Sequence, residues 1–158
     1  MKLLIGTNNA GKIDEFCSVL HDLNIHLVSP ATIGITINPN ETGGTYAENA
    51  LLKAHAFFRH SHGIPTVTED AGIDVYSLPG ELGVHTRRWG AGPSASDDAW
   101  IAYFLDRMKG ITDRRATFYS AVAFLDAGGH EKVFEGHCEG TITETLETRA
   151  SGQNWVVN

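Results

Sequence analysis

The sequence predicts an α/β protein built on a mixed, twisted sheet with flanking helices, and three observations carry that expectation. Residues 3–6, a polar loop, a helical repeat and residues 25–28 make a strand-loop-helix-strand unit within the first thirty residues. Tyr46, Ala50, Ala54, Phe57 and Phe58 recur at the spacing of one buried helix face. Residues 116–125 are expected to form the longest strand, which turns at Ala127-Gly128-Gly129 into a partner near 132–135, so at least one antiparallel pair is expected.

Taken in order, residues 3–6 read as a short buried strand that breaks into Thr7-Asn8-Asn9-Ala10-Gly11-Lys12. Ile13, Phe16, Cys17, Leu20 and Leu23 place the first helix directly after that loop. The stretch 29–44, rich in Pro, Asn, Thr and Gly, is expected to be loop. Thr45 with Glu48 three residues on has the pattern of a capping box for the second helix, which Gly63 ends. Residues 65–68 are a short strand leading into a turn at Glu69-Asp70-Ala71-Gly72. A glycine-dense loop follows over 80–93. Ser96 then caps a third helix, with Asp97 and Asp98 at its positive end. Ile101, Phe104, Leu105 and Met108 are its apolar face, and Gly110 stops it. Residues 140–147 are expected to form one more strand. No repeat or linker interrupts the 158 residues, so a single domain is expected.

The charge of −7, from 12 basic and 19 acidic residues, argues against a broad nucleic-acid surface. A small polyanion held with the help of a metal ion remains compatible with it. Two cysteines are too few for a disulfide framework. The apolar run at the start is too short for a secretory leader, and no stretch approaches membrane-spanning length. A cytoplasmic location is the expectation.

Three segments could carry chemistry. Gly6-x4-Gly11-Lys12 lies between a strand and a helix, where successive backbone N–H groups and a helix N-terminus can cradle phosphate. Ile13 stands where a P-loop requires a Ser or Thr, which disfavours a P-loop phosphotransferase. Glu41 precedes the second helix, on which Asn49 and Lys53, four residues apart, share a face. Glu69 and Asp70 offer hard oxygen ligands of the kind magnesium takes, although adjacent residues of an extended chain point to opposite sides. Each segment alone is also compatible with a solvated surface feature. Eight histidines are present, but their spacing supplies no converging zinc ligands. His60 and His62 are better explained as hydrogen-bonding groups at a helix C-terminus.

Together, and in this order, the segments resemble the inosine triphosphate pyrophosphatase family, enzymes that remove deaminated purine nucleotides. Its T/S-x-N-x-x-K opening is present as Thr7, Asn9 and Lys12. Its E-T-G-x-T-F-x-E-N-A-x-x-K-A motif matches residues 41–54, with Tyr46 for Phe. The D-D-S-G-L turn looks like Glu69-Asp70-Ala71-Gly72-Ile73. The G-x-x-G-V-x-S-x-R-Y-x-G stretch corresponds to residues 80–90, with Thr86, Arg88 and Trp89 at its later positions. R-A-x-F appears as Arg115-Ala116-Thr117-Phe118, and G-x-I as Gly140-Thr141-Ile142.

The resemblance implies an elongated α/β homodimer with a central nucleotide cleft. It also implies hydrolysis of triphosphates such as ITP, dITP and XTP to the monophosphate and pyrophosphate. Glu41 and Asp70, with Glu69 beside them, would gather magnesium, and Asp70 would orient or deprotonate the attacking water. Thr7, Asn8, Asn9 and Lys12 would hold the triphosphate, Lys53 would add positive charge, and Ala71 and Arg88 would lie against substrate. Arg87, Arg88 and Trp89 are equally compatible with anchoring their own loop.

Two departures stand out. Glu69 and Ala71 replace an Asp and a Ser, and Ala71 lacks the hydroxyl that would touch substrate. After Gly152 the family continues into G-F-G-Y-D-P, a Lys and a Ser-His-Arg motif. Here Gln153-Asn154-Trp155-Val156-Val157-Asn158 follow, the last apolar residues resembling an interrupted strand. A shortened product, a divergent member, and a dimer completing its site in trans all remain open. So does a nucleotide-binding or interaction protein that kept the fold without the activity.

Overall fold

The computed structural model describes residues 1–92, 94–148 and 154–157, with Arg88, Glu147, Thr148 and 154–157 described by backbone alone. The strands are β1 (Lys2–Ile5), β2 (His26–Val28), β3 (Thr66–Val75), β4 (Arg115–Leu125), β5 (Glu131–Thr148) and β6 (Asn154–Val157). The helices are α1 (Ala10–Leu20), α2 (Tyr46–His60) and α3 (Asp97–Arg107), with 3-10 turns at Ala31–Ile33 and Gly83–Arg88. The strand order is β2-β1-β3-β4-β5-β6. β1 runs parallel to both β2 and β3, with Leu4 opposite Val28 and Thr66, whereas β5 and β6 are antiparallel. The sheet is therefore mixed, as expected from the sequence.

The chain divides into two compact units. One comprises Met1–Asp70 with Ser120–Glu135, the other Ala71–Tyr119 with Gly136–Asn158. In the first unit the pleat of the strands sorts side chains between two helices. Leu3, Ile5 and Val67 meet Ile13, Phe16 and Leu20 of α1, joined by Val122 and Phe124 of β4. Leu4 turns the other way, into a cluster with Phe57 of α2. Ala121, Ala123 and Leu125 lie against Ala50 and Ala54 of the same helix. Small residues at these positions let helix and sheet approach closely.

The capping box is realised: the Thr45 hydroxyl accepts from the Glu48 amide at 3.1 Å, and the Glu48 carboxylate accepts from the Thr45 amide at 3.2 Å. α1 begins at Asn9, whose Oδ1 accepts from the amides of Gly11 and Lys12. Its apolar stripe is narrower than the sequence suggests, because Cys17 and Leu23 are exposed. The line of Ile13, Phe16 and Leu20 alone packs against the cluster of Leu3, Ile5 and Val67.

The second unit is organised around Phe104 of α3 and Met108 just after it, both fully buried and clustered with Ile73, Val75, Leu78, Leu82, Ala116 and Ile142. Trp100 stacks on Phe104 at 5.1 Å between ring centroids. Arg114 donates to the carbonyls of Met108, Ile142 and Thr143, fastening the end of α3 to β5. Ser96 caps α3 as expected, accepting from the Ala99 amide.

Three expectations are corrected. Glu69-Asp70-Ala71-Gly72 is not a turn but the middle of β3, which runs unbroken from Thr66 to Val75. Gly72 does not end the strand, because its cost in backbone entropy is small beside the pairing and packing on either side of it. Residues 140–147 are not a separate strand, and β5 rather than β4 is the longest, at 18 residues. A glycine inside a strand weakens pairing without stopping it, so Gly136 and Gly140 are carried through. By contrast, the strand expected at Trp155, Val156 and Val157 is present, as β6.

Gly6, at the end of β1, is required by packing. A Cβ there would lie 2.6 Å from the Thr68 methyl and 2.9 Å from the Phe57 ring. Gly6→Ala is expected to lower unfolding free energy by about 1–3 kcal/mol in a denaturant titration, the cost of overpacking a dense core.

Candidate functional site

β3 carries the two acids that the sequence singles out, and strand geometry separates them. Thr66 and Thr68 face α2, the latter donating its hydroxyl to the Ala50 carbonyl at 2.7 Å. Asp70 continues that row, whereas Glu69 continues the row of Val67, toward α1. Each acid there meets a lysine from a different helix.

On the α2 side the Lys53 ammonium lies 2.7 Å from Glu41 Oε1 and 2.7 Å from Asp70 Oδ1. Asn49, one turn earlier on the helix and wholly buried, donates Nδ2 to Asp70 Oδ2 at 3.3 Å. Its Oδ1 accepts from the Gly43 amide at 2.8 Å, which fixes the orientation of the carboxamide. The Gly44 amide donates to Glu48 at 2.7 Å. The loop bearing Glu41 is thus held against the first turn of α2, and closely: a Cβ on Gly43 would sit 2.6 Å from that of Glu48. Burial pushes the Asp70 carboxyl above the usual aspartate range. Lys53 and Asn49 oppose that shift, and Glu41 adds to it.

On the α1 side Lys12 lies 2.7 Å from Glu69 Oε2 and 3.3 Å from Glu15. Burial works against the ammonium, but the hydrogen bond and charge of Glu69, with Glu15, outweigh it and hold its pKa above the usual lysine value. The Ser120 hydroxyl donates to Glu69 Oε1 at 2.7 Å. Thr7, Asn8 and Asn9 shape the intervening loop. The Thr7 hydroxyl accepts from the Asn9 amide, and Asn8 donates to the Ile37 carbonyl at 2.8 Å.

The structure therefore brings Glu41, Asp70 and Lys53 together, and Lys12 with Glu69, but it does not assemble Glu41, Asp70 and Glu69 as one ligand set. Among the described residues, no three His, Cys, Asp or Glu side chains gather as a metal site. Two carboxylates around one cation still fit magnesium, which is usually held by one or two carboxylates plus phosphate oxygens and water. The donors are hard oxygens, and Glu41 and Asp70 already converge on one cationic centre, the Lys53 ammonium.

Ala71 follows Asp70 in β3 and is half-buried. The side chain of Arg88 lies outside the described residues. Its neighbours anchor the loop: Arg87 donates to the Ala95 carbonyl and pairs with Asp97, while Trp89 packs edge-on against Tyr103 and Phe104. Thr86 accepts from the Ile73 amide and donates to the Gly83 carbonyl, and its own carbonyl takes the Trp100 indole N–H. His60 bonds the Ala56 carbonyl at the end of α2. Sequence reasoning missed Ser120 as a partner of Glu69. Its signal was a lone hydroxyl in the row that continues through Val122 and Phe124.

Such a molecule is an α/β sheet protein with an acid–lysine cluster on either face of one strand. Residues 3–155 match the model of the Ham1 family, and the chain belongs to that family. A dITP/XTP pyrophosphatase of Leptospira interrogans is 40% identical over 146 residues, 92% of this chain and 73% of that protein. Another, of Thermus thermophilus, is 36% identical over 146 residues, 91% of this chain and 69% of that one. The solved Ham1 protein of Staphylococcus aureus superposes with a TM-score of 0.75 at 31% identity, covering 94% of this chain and 75% of that one.

The folded pKa of Asp70 lies above that of an unfolded aspartate, so the folded protein holds this proton more readily. Its contribution to stability is lost as pH rises from the ordinary aspartate range through the folded pKa. Asp70→Asn is therefore expected to raise the melting temperature at pH 7, with the gain shrinking as pH falls toward that range.

Proposed function

We propose that the chain hydrolyses deaminated purine nucleoside triphosphates such as ITP, dITP and XTP to the monophosphate and pyrophosphate, clearing them from the nucleotide pool. The observation that carries this reading is the convergence of Glu41 and Asp70 on Lys53, each at 2.7 Å. Two half-buried acids beside a lysine cost stability in a protein that merely binds a polyanion, whereas a hydrolase has a use for both. The relatives from Leptospira and Thermus, both dITP/XTP pyrophosphatases, point the same way.

In this reading Glu41 and Asp70 would hold magnesium, which when bound draws the charge of the triphosphate oxygens onto itself. Asp70, its proton affinity raised by burial, accepts a hydrogen bond from the attacking water and directs it at the α-phosphorus. The bond from the α-phosphorus to the bridging oxygen breaks as the new P–O bond forms, the water's proton passes to Asp70, and pyrophosphate leaves. Lys12 and Lys53 offset the charge on the departing group, and the loop of Thr7, Asn8 and Asn9 shapes the backbone beside it. Glu69 and Ser120 hold Lys12 in place. Ala71 and Arg88 are assigned to the nucleoside side. A homodimer, implied by the family resemblance, completes the reading, together with a cytoplasmic location and no nucleic-acid or membrane partner, which rest on the acidic charge and the lack, among the described residues, of a membrane-spanning helix.

Purified protein incubated with magnesium and ITP, dITP, XTP or GTP is expected to release pyrophosphate and monophosphate, with the deaminated bases preferred, as followed by ion-exchange product analysis. Release of inorganic phosphate and diphosphate instead would overturn the proposed bond. Asp70→Asn is expected to lower kcat by about a hundredfold or more while the protein stays folded.

A further inference from the structure

We propose that Lys53 is an internal counter-ion that excludes the metal from the free protein: its ammonium occupies the place between Glu41 and Asp70 that a divalent cation takes during turnover. The inference rests on the reading of those two acids as metal ligands.

Glu41 Oε1 and Asp70 Oδ1 are both 2.7 Å from the same nitrogen, so they lie no farther apart than twice that distance. Magnesium binds oxygen at about 2.0–2.1 Å, so a dication drawing on both oxygens needs the ground that the ammonium holds. The ammonium and the dication compete for the same oxygens and repel one another at that range, so the lysine weakens binding of the ion there. Asp70 gives its other oxygen to Asn49, which leaves Oδ1 as the atom over which lysine and metal compete.

The backbone that carries each acid is held by contacts other than Lys53. Asp70 sits within β3 and is held by Asn49. The loop of Glu41 is held by the Gly43 amide on Asn49 and the Gly44 amide on Glu48. The ligand pair therefore outlasts the departure of the lysine. Lys53, on a flexible four-carbon stem, is free once displaced to meet an incoming phosphate. Metal and triphosphate then favour one another's binding, because the nucleotide offers the evicted ammonium a new partner.

Calorimetric titration of the nucleotide-free protein with magnesium or manganese tests this. Lys53→Gln and Lys53→Met are both used, the first keeping a hydrogen-bond donor in case the second fails to fold, with melting curves confirming structure. Each is expected to bind the ion at least about tenfold more tightly than the unaltered protein. Lys12→Met removes the same charge from the other face of β3 and is expected to change affinity by less than about twofold. Equal affinity in the Lys53 variants, or an equal gain in Lys12→Met, would overturn direct exchange. If Asp70→Asn nevertheless loses metal-dependent hydrolysis, the functional reading stands without it; if Asp70→Asn keeps full hydrolysis, both fall.

Discussion

The period-two geometry of β3 is the constraint on which the arrangement rests. Because neighbouring residues of a strand point to opposite faces, Glu69 and Asp70 cannot serve one centre by side-chain direction alone. One acid meets Lys12, at the start of α1, and the other meets Lys53, in the middle of α2. The same alternation sends Val67 to one hydrophobic cluster and Thr68 to the helix on the other side. Core and functional residues thus follow one rule along one strand. A slip of a single residue in the pairing of β1 with β3 would reverse both at once.

Buried charge near Asp70 is tolerated because its surroundings are built around it. A carboxylate so deeply placed loses hydration that one shared lysine does not fully replace. Asn49 supplies part of the difference, and it can do so only because the Gly43 amide orients its carboxamide. The Lys12 cluster has the same make-up, with Glu69 and Glu15 around one ammonium, and a serine hydroxyl bonds Glu69. Both clusters are polar islands whose groups satisfy one another.

Much of this was legible in the sequence because the signals were local. The capping box at Thr45, the cap at Ser96, the loop between β1 and α1, and the parallel opening unit all follow from short-range rules. What could not be read depended on contacts between distant residues. Glu69-Asp70-Ala71-Gly72 looked like a turn because Gly72 and two acids are turn-like in composition, yet pairing within the sheet keeps them extended. Gly6 looked like a phosphate-loop glycine, and its requirement comes instead from Phe57 and Thr68, which are more than fifty residues away. Lys53 and Asn49 could be placed on one helix face, but nothing local showed that Glu41 and Asp70 would converge there. Ser120 was hidden because its partner is in another strand.

The stapling of the Glu41 loop onto α2 also bears on motion. The amides of Gly43 and Gly44 are bonded to the side chains of Asn49 and Glu48, and Glu48 in turn closes the capping box with Thr45. Those protons can exchange with solvent only when side chains of the first helical turn let go. Loosening of the acid-bearing loop and fraying of the helix end are then one cooperative opening event, with a single free energy of opening.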